Sequence, residues 1–190
     1  MSKKSPLYPI LLIPQSIKDK DYFPRLFTYD YVDDIPIGAS ETDFGFLLRY
    51  YFGACIREQQ QLLPSGHNHR PFSTDFLFIE PITGLHIDIE IDEPFAFRTG
   101  EPIHCVGDDD YRNKCFVDAN FVVMRFAEEQ VRSQPLRCMR FLSNVVNQLT
   151  GNDSWKKQFS QVERITTVKQ WTKSSASKLK KQDYRKQYLN

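Results

Sequence analysis

One α/β domain is the fold class that this chain of 190 residues predicts, and three observations carry it. Ser73 to Phe78 and Leu85 to Asp92 read as two strands, with a Pro81-Ile82-Thr83-Gly84 turn between them. Apolar residues recur every three or four positions in two further stretches. These are Phe44, Leu47, Leu48, Tyr51, Phe52 and Cys55, then Leu136, Met139, Leu142, Val145, Val146 and Leu149, the mark of amphipathic helices. The elements also alternate along the chain, in the order α-β-β-α-β-α.

Taken in order, Leu7 to Pro14 is a short apolar run broken by Pro9 and stopped by Pro14. With no small-residue cleavage site it reads as a strand rather than a signal peptide. Lys18 to Ile37 is polar, aromatic and proline-punctuated, an irregular connection. Ser40 offers an N-cap with Asp43 three residues on, so a helix is expected from Glu41 to about Leu62, closed by Leu63-Pro64-Ser65-Gly66. His67, Asn68 and His69 fall in the next loop. Strands are expected at about 72–80 and 85–92, a loop over Pro94 to Gly107, and a helix from Asp108 to about Ala119. Phe121 to Phe126 is β-rich and apolar, a buried strand. Glu128 to Val131 starts a short helix, and Pro135 opens a longer one that Gly151 ends.

Composition narrows the class. Hydrophobic content of 41% and charged content of 26% are ordinary for a globular chain, and 15 Phe and 9 Tyr against 8 Gly favour a well-packed interior. No apolar run approaches the roughly 20 residues that a membrane span needs, so no membrane partner is expected. The four cysteines show no CxxC spacing, which points to buried free thiols and a reducing, cytoplasmic compartment. A zinc site from His104, Cys105 and Cys115 lacks four-ligand spacing. A net charge of +1 conceals an asymmetry, because residues 151–190 hold 10 Lys+Arg against 3 Asp+Glu and the rest is net negative.

Asp88, Glu90 and Asp92 share one side of their strand, with Ile87, Ile89 and Ile91 on the other. Packing the isoleucines inward is expected to turn the carboxylates outward together. Like charges that close repel one another, and a divalent cation would relieve them. Asp75, on the neighbouring strand, can converge with Glu90 and Asp92 if the two strands are antiparallel. Solvent-facing acids on a half-exposed sheet are the plain alternative. A register that pairs Asp88 with Glu90 is another.

The ordered set Asp75, Ile89-Glu90-Ile91-Asp92, His104, Asp109-x-x-Arg112 and Val123-Met124-Arg125-Phe126 resembles the PD-(D/E)xK restriction-endonuclease-like superfamily. The branch it is most similar to holds very-short-patch repair endonuclease and a related domain of unknown function. The resemblance spans roughly Ser40 to Val131 and implies an αβββαβ core with a mixed sheet. It implies Asp75 and Glu90 as ligands of Mg²⁺ or Mn²⁺, Asp92 assisting, and Glu41 as an acid near the metal. The motif lysine is replaced by Asp92, which leaves its cationic role to Arg112 or Lys114; Arg112 or His104 would contact the scissile phosphate, or His104 would instead carry a proton. Arg125 pairs with a core acid or reaches a phosphate.

Three segments are thus expected: residues 1–39, an N-terminal strand and connection; 40–150, the endonuclease-like core; and 151–190, a basic C-terminal helical extension. In the last, Trp155, Trp171 and Tyr184 lie among cations that include Lys178, Lys180 and Lys181, which suits contact with DNA or a helix packing its aromatics on the body. The expected activity is metal-dependent hydrolysis of DNA phosphodiester bonds. The resemblance implies a mobile-element, repair or anti-phage setting. A non-catalytic nucleic-acid-binding module, or a protein–protein adaptor in a larger assembly, is the alternative.

Overall fold

A computed structural model describes residues 6–31, 38, 40–64 and 71–189. His67, Asn68 and His69 lie outside the described residues. The chain is α/β, built on a mixed six-stranded sheet in the order β2-β7-β6-β5-β4-β3. Those strands are β2 (Ile10–Leu12), β3 (Leu26–Tyr31), β4 (Ile56–Pro64), β5 (Phe72–Ile79), β6 (His86–Asp92) and β7 (Val122–Ala127). β3 to β6 form an antiparallel meander, β6 and β7 run parallel, and β2 returns antiparallel to β7. A second, two-stranded sheet pairs β1 (Leu7–Tyr8) with β8 (Val168–Lys169). The N-terminal apolar run is therefore divided at Pro9 between two sheets.

Each face of the large sheet has its own cover. Helices α2 (Glu41–Phe52) and α5 (Pro135–Thr150) bury Phe44, Leu48, Met139, Leu142 and Val146 against Ile87, Ile89, Ile91 and Phe126. Pro135 occupies the first turn of α5, and Gly151, at φ 81°, ends it in the left-handed conformation that lacks a Cβ penalty. Helix α3 (Asp110–Asp118) makes the crossover from β6 to β7. It packs Phe116 against Leu62, Leu77, Phe121 and Val123 on the opposite face.

Two expectations are corrected here. The helix expected to run to about Leu62 stops at Phe52, a short 3-10 turn follows from Gly53 at φ 55°, and Ile56–Pro64 is a strand. Arg57 to Gln61 are good helix formers, but hydrogen bonding to β5 on one side and β3 on the other overrides that local preference. The acids of β6 do not face water either. All seven of its residues are buried, because α3 lies over the side that carries Asp88, Glu90 and Asp92.

The C-terminal segment folds back onto this body. Trp155 and Phe159 pack against Phe52, and Trp171 lies tilted against Tyr8, ring centres 5.0 Å apart, and donates its indole N–H to the Ile103 carbonyl. Short helices α6 (Lys173–Lys181) and α7 (Lys186–Leu189) follow; α1 (Gln15–Lys18) and α4 (Glu128–Ser133) complete the set. The tail's tryptophans thus serve packing, while Lys178, Lys180 and Lys181 lie exposed on α6. No helix among the described residues is long and apolar enough to cross a membrane. All four cysteines are free, and three of them are buried.

Candidate functional site

Burying acids on the α3 face requires partners, and two arginines supply them. Arg112 of α3 grips Asp88 with both terminal nitrogens, at 2.7 and 3.2 Å, and reaches Glu90 at 2.6 Å and the Ser73 carbonyl at 2.9 Å. Its guanidinium also lies 4.4 Å over the Phe116 ring. The expectation that Arg112 meets a phosphate is corrected: its donors are taken by the sheet's own acids.

Arg125 is spent in the same way. It is 1% exposed, binds both oxygens of Asp92 at 2.6 and 2.9 Å, and donates to Asn113 at 3.1 Å. The Tyr8 hydroxyl adds a bond to Asp92 at 2.8 Å. Asp92, 1% exposed, does not line the cleft that Glu90 borders, and Arg125 has no surface left for DNA. Both are removed from the expected site.

Among the described residues, Asp92, His104 and Asp109 bring three ligand-type atoms within 4.8 Å of one another. One nitrogen of Arg125, Nη2, lies 2.6 Å from Asp92, 3.0 Å from Asp109 and 3.2 Å from His104. The guanidinium sits where a bound cation would sit. Asp109 also holds His104 at 3.0 Å, which lowers the Asp109 carboxyl and raises the imidazole against the opposing effect of burial.

The acids that border open space are elsewhere. A cleft of ≈ 730 Å³ is lined by Glu41, Asp75, Glu90 and Glu93 with Arg98, His104 and Arg185. Three elements deliver the first three: the first turn of α2, β5 and β6. Asp75 is fixed by accepting the Ile91 N–H at 2.7 Å, and its own N–H points to Glu90 at 3.4 Å. Ser40, expected as a side-chain cap of α2, instead donates its hydroxyl to Glu128 at 3.0 Å. Glu128 is buried and also holds Arg185 at 2.7 Å and Tyr188 at 3.0 Å. That hub ties the start of α2, and with it Glu41, to the C-terminal segment.

Burial is the main reason these carboxyls hold their protons tightly. It pushes Glu41 up to about 8, helped by the charges of Asp75 and Glu93 and opposed by the Gly38 N–H. It pushes Asp75 up to about 6, against the Ile91 hydrogen bond and Arg112. Glu90 is raised well above the usual carboxylate range by burial despite Arg112, and Glu93 is raised for the same first reason. A carboxyl whose folded pKa is raised favours the folded state at low pH. That contribution is complete below the unfolded value near 4 and is lost as pH rises through about 6 and about 8. In metal chelator, the melting temperature is therefore expected to fall as pH rises from about 5 to about 9. Glu41→Gln should flatten the upper half of that fall; an unchanged profile would show that Glu41 does not titrate in the cleft.

Of the residues singled out from sequence, Asp75, Glu90, Glu41 and His104 line the cleft, and Asp92, Arg112 and Arg125 do not. Sequence reasoning missed Glu93, Arg98 and Arg185. Glu93 directly follows Asp92 in sequence, just past the end of β6 and out of phase with its acid row; Arg185 lies 57 residues from Glu128 and carries no local signal. Compared with protein-family models, with curated proteins and with solved structures, the chain matches none.

Proposed function

We propose that this cleft binds a divalent cation, Mg²⁺ or Mn²⁺, and that the protein is a metal-dependent endonuclease hydrolysing DNA phosphodiester bonds. The observation that carries the reading is the convergence of Glu41, Asp75 and Glu90 on one cleft, with carboxyls whose negative charge is disfavoured as they stand. Oxygen donors of this kind suit a hard cation, and Glu41 and Asp75 have no arginine bound to them among the described residues. A divalent cation there would polarise a phosphate and lower the pKa of an attacking water.

The remaining roles belong to the chain's own residues. Ile91, through its N–H, orients Asp75. Arg112 keeps Glu90 in place while neutralising Asp88 beneath it. Arg98 and Arg185, on the cleft's other wall, supply positive charge in place of the absent motif lysine. In this reading α2, the meander β4 to β6, α3 and the parallel β7 correspond to the αβββαβ core of restriction-endonuclease-like proteins.

Metal titration followed by thermal unfolding tests the reading directly. A ligand that binds only the folded state at about 100 times its Kd stabilises by about 2.7 kcal/mol. Mg²⁺ and Mn²⁺ should thus raise the melting temperature at pH 8, release protons on binding, and lose most of that effect in Glu41→Gln. A protein indifferent to millimolar Mg²⁺ and Mn²⁺ that still binds DNA would instead be a non-catalytic module.

A further inference from the structure

The cleft's outer wall carries a feature that the acids do not explain. Phe95 to Pro102 forms a small hairpin closed by a Phe95–Pro102 bridge, with Ala96 N–H donating to Glu101 at 2.9 Å and Gly100 N–H to Ala96 at 2.8 Å. Lys180 of α6 reaches the Thr99 carbonyl at 3.4 Å and braces the tip. At this tip Phe97 borders the cleft with 81% of its surface exposed. A single exposed aromatic is common on protein surfaces and means little alone.

Phe97 is not alone. The Arg185 guanidinium lies 5.9 Å from its ring centre and 5.6 Å from that of Phe95, so a cation backs the ring. Arg185 is 5% exposed and anchored by the Phe95 carbonyl at 2.9 Å and Glu128 at 2.7 Å. Its Nε is a buried donor with no partner among the described residues, a state that buried polar groups rarely keep. Arg98 stands next to Phe97, exposed. An aromatic face at the mouth of the cleft, with one arginine beside it and a guanidinium behind it, matches a ligand that is flat and apolar at one end and anionic at the other.

We infer that the hairpin and Arg185 form a nucleotide subsite: Phe97 stacks on an unpaired base with Arg185 behind its ring, and Arg98 takes the adjoining phosphate. The substrate strand is then single-stranded or locally unpaired DNA, because a base inside a duplex offers no free face to Phe97. The inference rests on the nuclease reading for the location of the scissile phosphate, but its test does not require cleavage.

The test uses the full chain with Ca²⁺ in place of Mg²⁺ and a short single-stranded oligonucleotide carrying one 2-aminopurine, alongside the same sequence as a duplex. Binding of the single strand should quench the 2-aminopurine, and its affinity should exceed that of the duplex. Phe97→Ala should abolish the quenching and weaken single-strand binding roughly ten-fold, whereas Phe97→Trp should retain both. Arg98→Gln should lower the salt dependence of binding by about one counterion. Phe97 buries little of its surface, so loss of folding does not confound these variants. Quenching that depends on Phe97 supports the subsite whether or not plasmid is nicked. Nicking with Phe97→Ala equal to wild type in affinity and quenching leaves the nuclease reading standing and overturns this one. Equal binding of duplex and single strand without quenching overturns it as well.

Discussion

Arg125→Met should destabilise the protein by about 3–5 kcal/mol, measured as a lowered midpoint in urea unfolding. The cause is not the loss of an attractive pair in itself, since a buried ion pair often does little better than a well-packed apolar substitute. It is that Asp92, 1% exposed, would keep only the Tyr8 hydroxyl as a hydrogen-bond donor, with His104 3.6 Å away, and Asn113 would lose its guanidinium partner. Arg125→Met combined with Asp92→Leu should recover much of the loss, because both charges leave together. The single variant also bears on the neighbouring ligands. With the guanidinium gone, Asp92, His104 and Asp109 would face one another without a cation, and added Zn²⁺ should restore part of the stability in Arg125→Met but not in wild type. Wild-type stability in the single variant would show that the cluster is hydrated rather than dry.

The pattern of what was legible in the sequence follows from the range of the interactions involved. Strands β5 and β6 and helix α5 were legible because alternation and helical spacing are local signals, and Pro135 and Gly151 mark the helix ends by backbone chemistry. Strand β4 was not, because Arg57 to Gln61 prefer helix when isolated and become a strand only through two neighbours. The alternation in β6 separated its isoleucines from its acids correctly. It could not reveal that the acidic side is roofed, since α3 is largely polar in sequence and covers that side through Phe116 and Arg112. Asp75 and Glu90 meet at the cleft because the antiparallel pairing of β5 with β6 sets them side by side, and Glu41 joins them from the first turn of α2. Asp92 does not, although it is only two residues beyond Glu90, because Arg125 of the adjacent parallel strand captures it. Arg185 belongs to the cleft through a fold-back that no periodicity encodes.

Asp75→Asn and Glu90→Gln are each expected to reduce metal-dependent nicking of plasmid DNA about a thousand-fold, several kcal/mol of charge stabilisation lost from the metal-assisted step. The amides are chosen over alanine because both carboxylates also serve the fold. Asp75 satisfies the Ile91 N–H, and Glu90 takes one of the Arg112 donors. An amide oxygen can keep accepting those bonds while it withdraws the negative charge that a cation requires. The two variants should differ in metal-free stability. Asp75→Asn removes a charge that burial disfavours and that no arginine among the described residues holds directly, so at pH 8 in chelator its melting temperature should equal or exceed that of wild type. Glu90→Gln removes a charge that Arg112 already compensates, leaving Arg112 to Asp88 and the Ser73 carbonyl, so it should gain less. Loss of nicking with melting temperature intact assigns both residues to the chemistry. Full nicking in either variant would remove that residue from the site, and unfolding of both would make the pair structural.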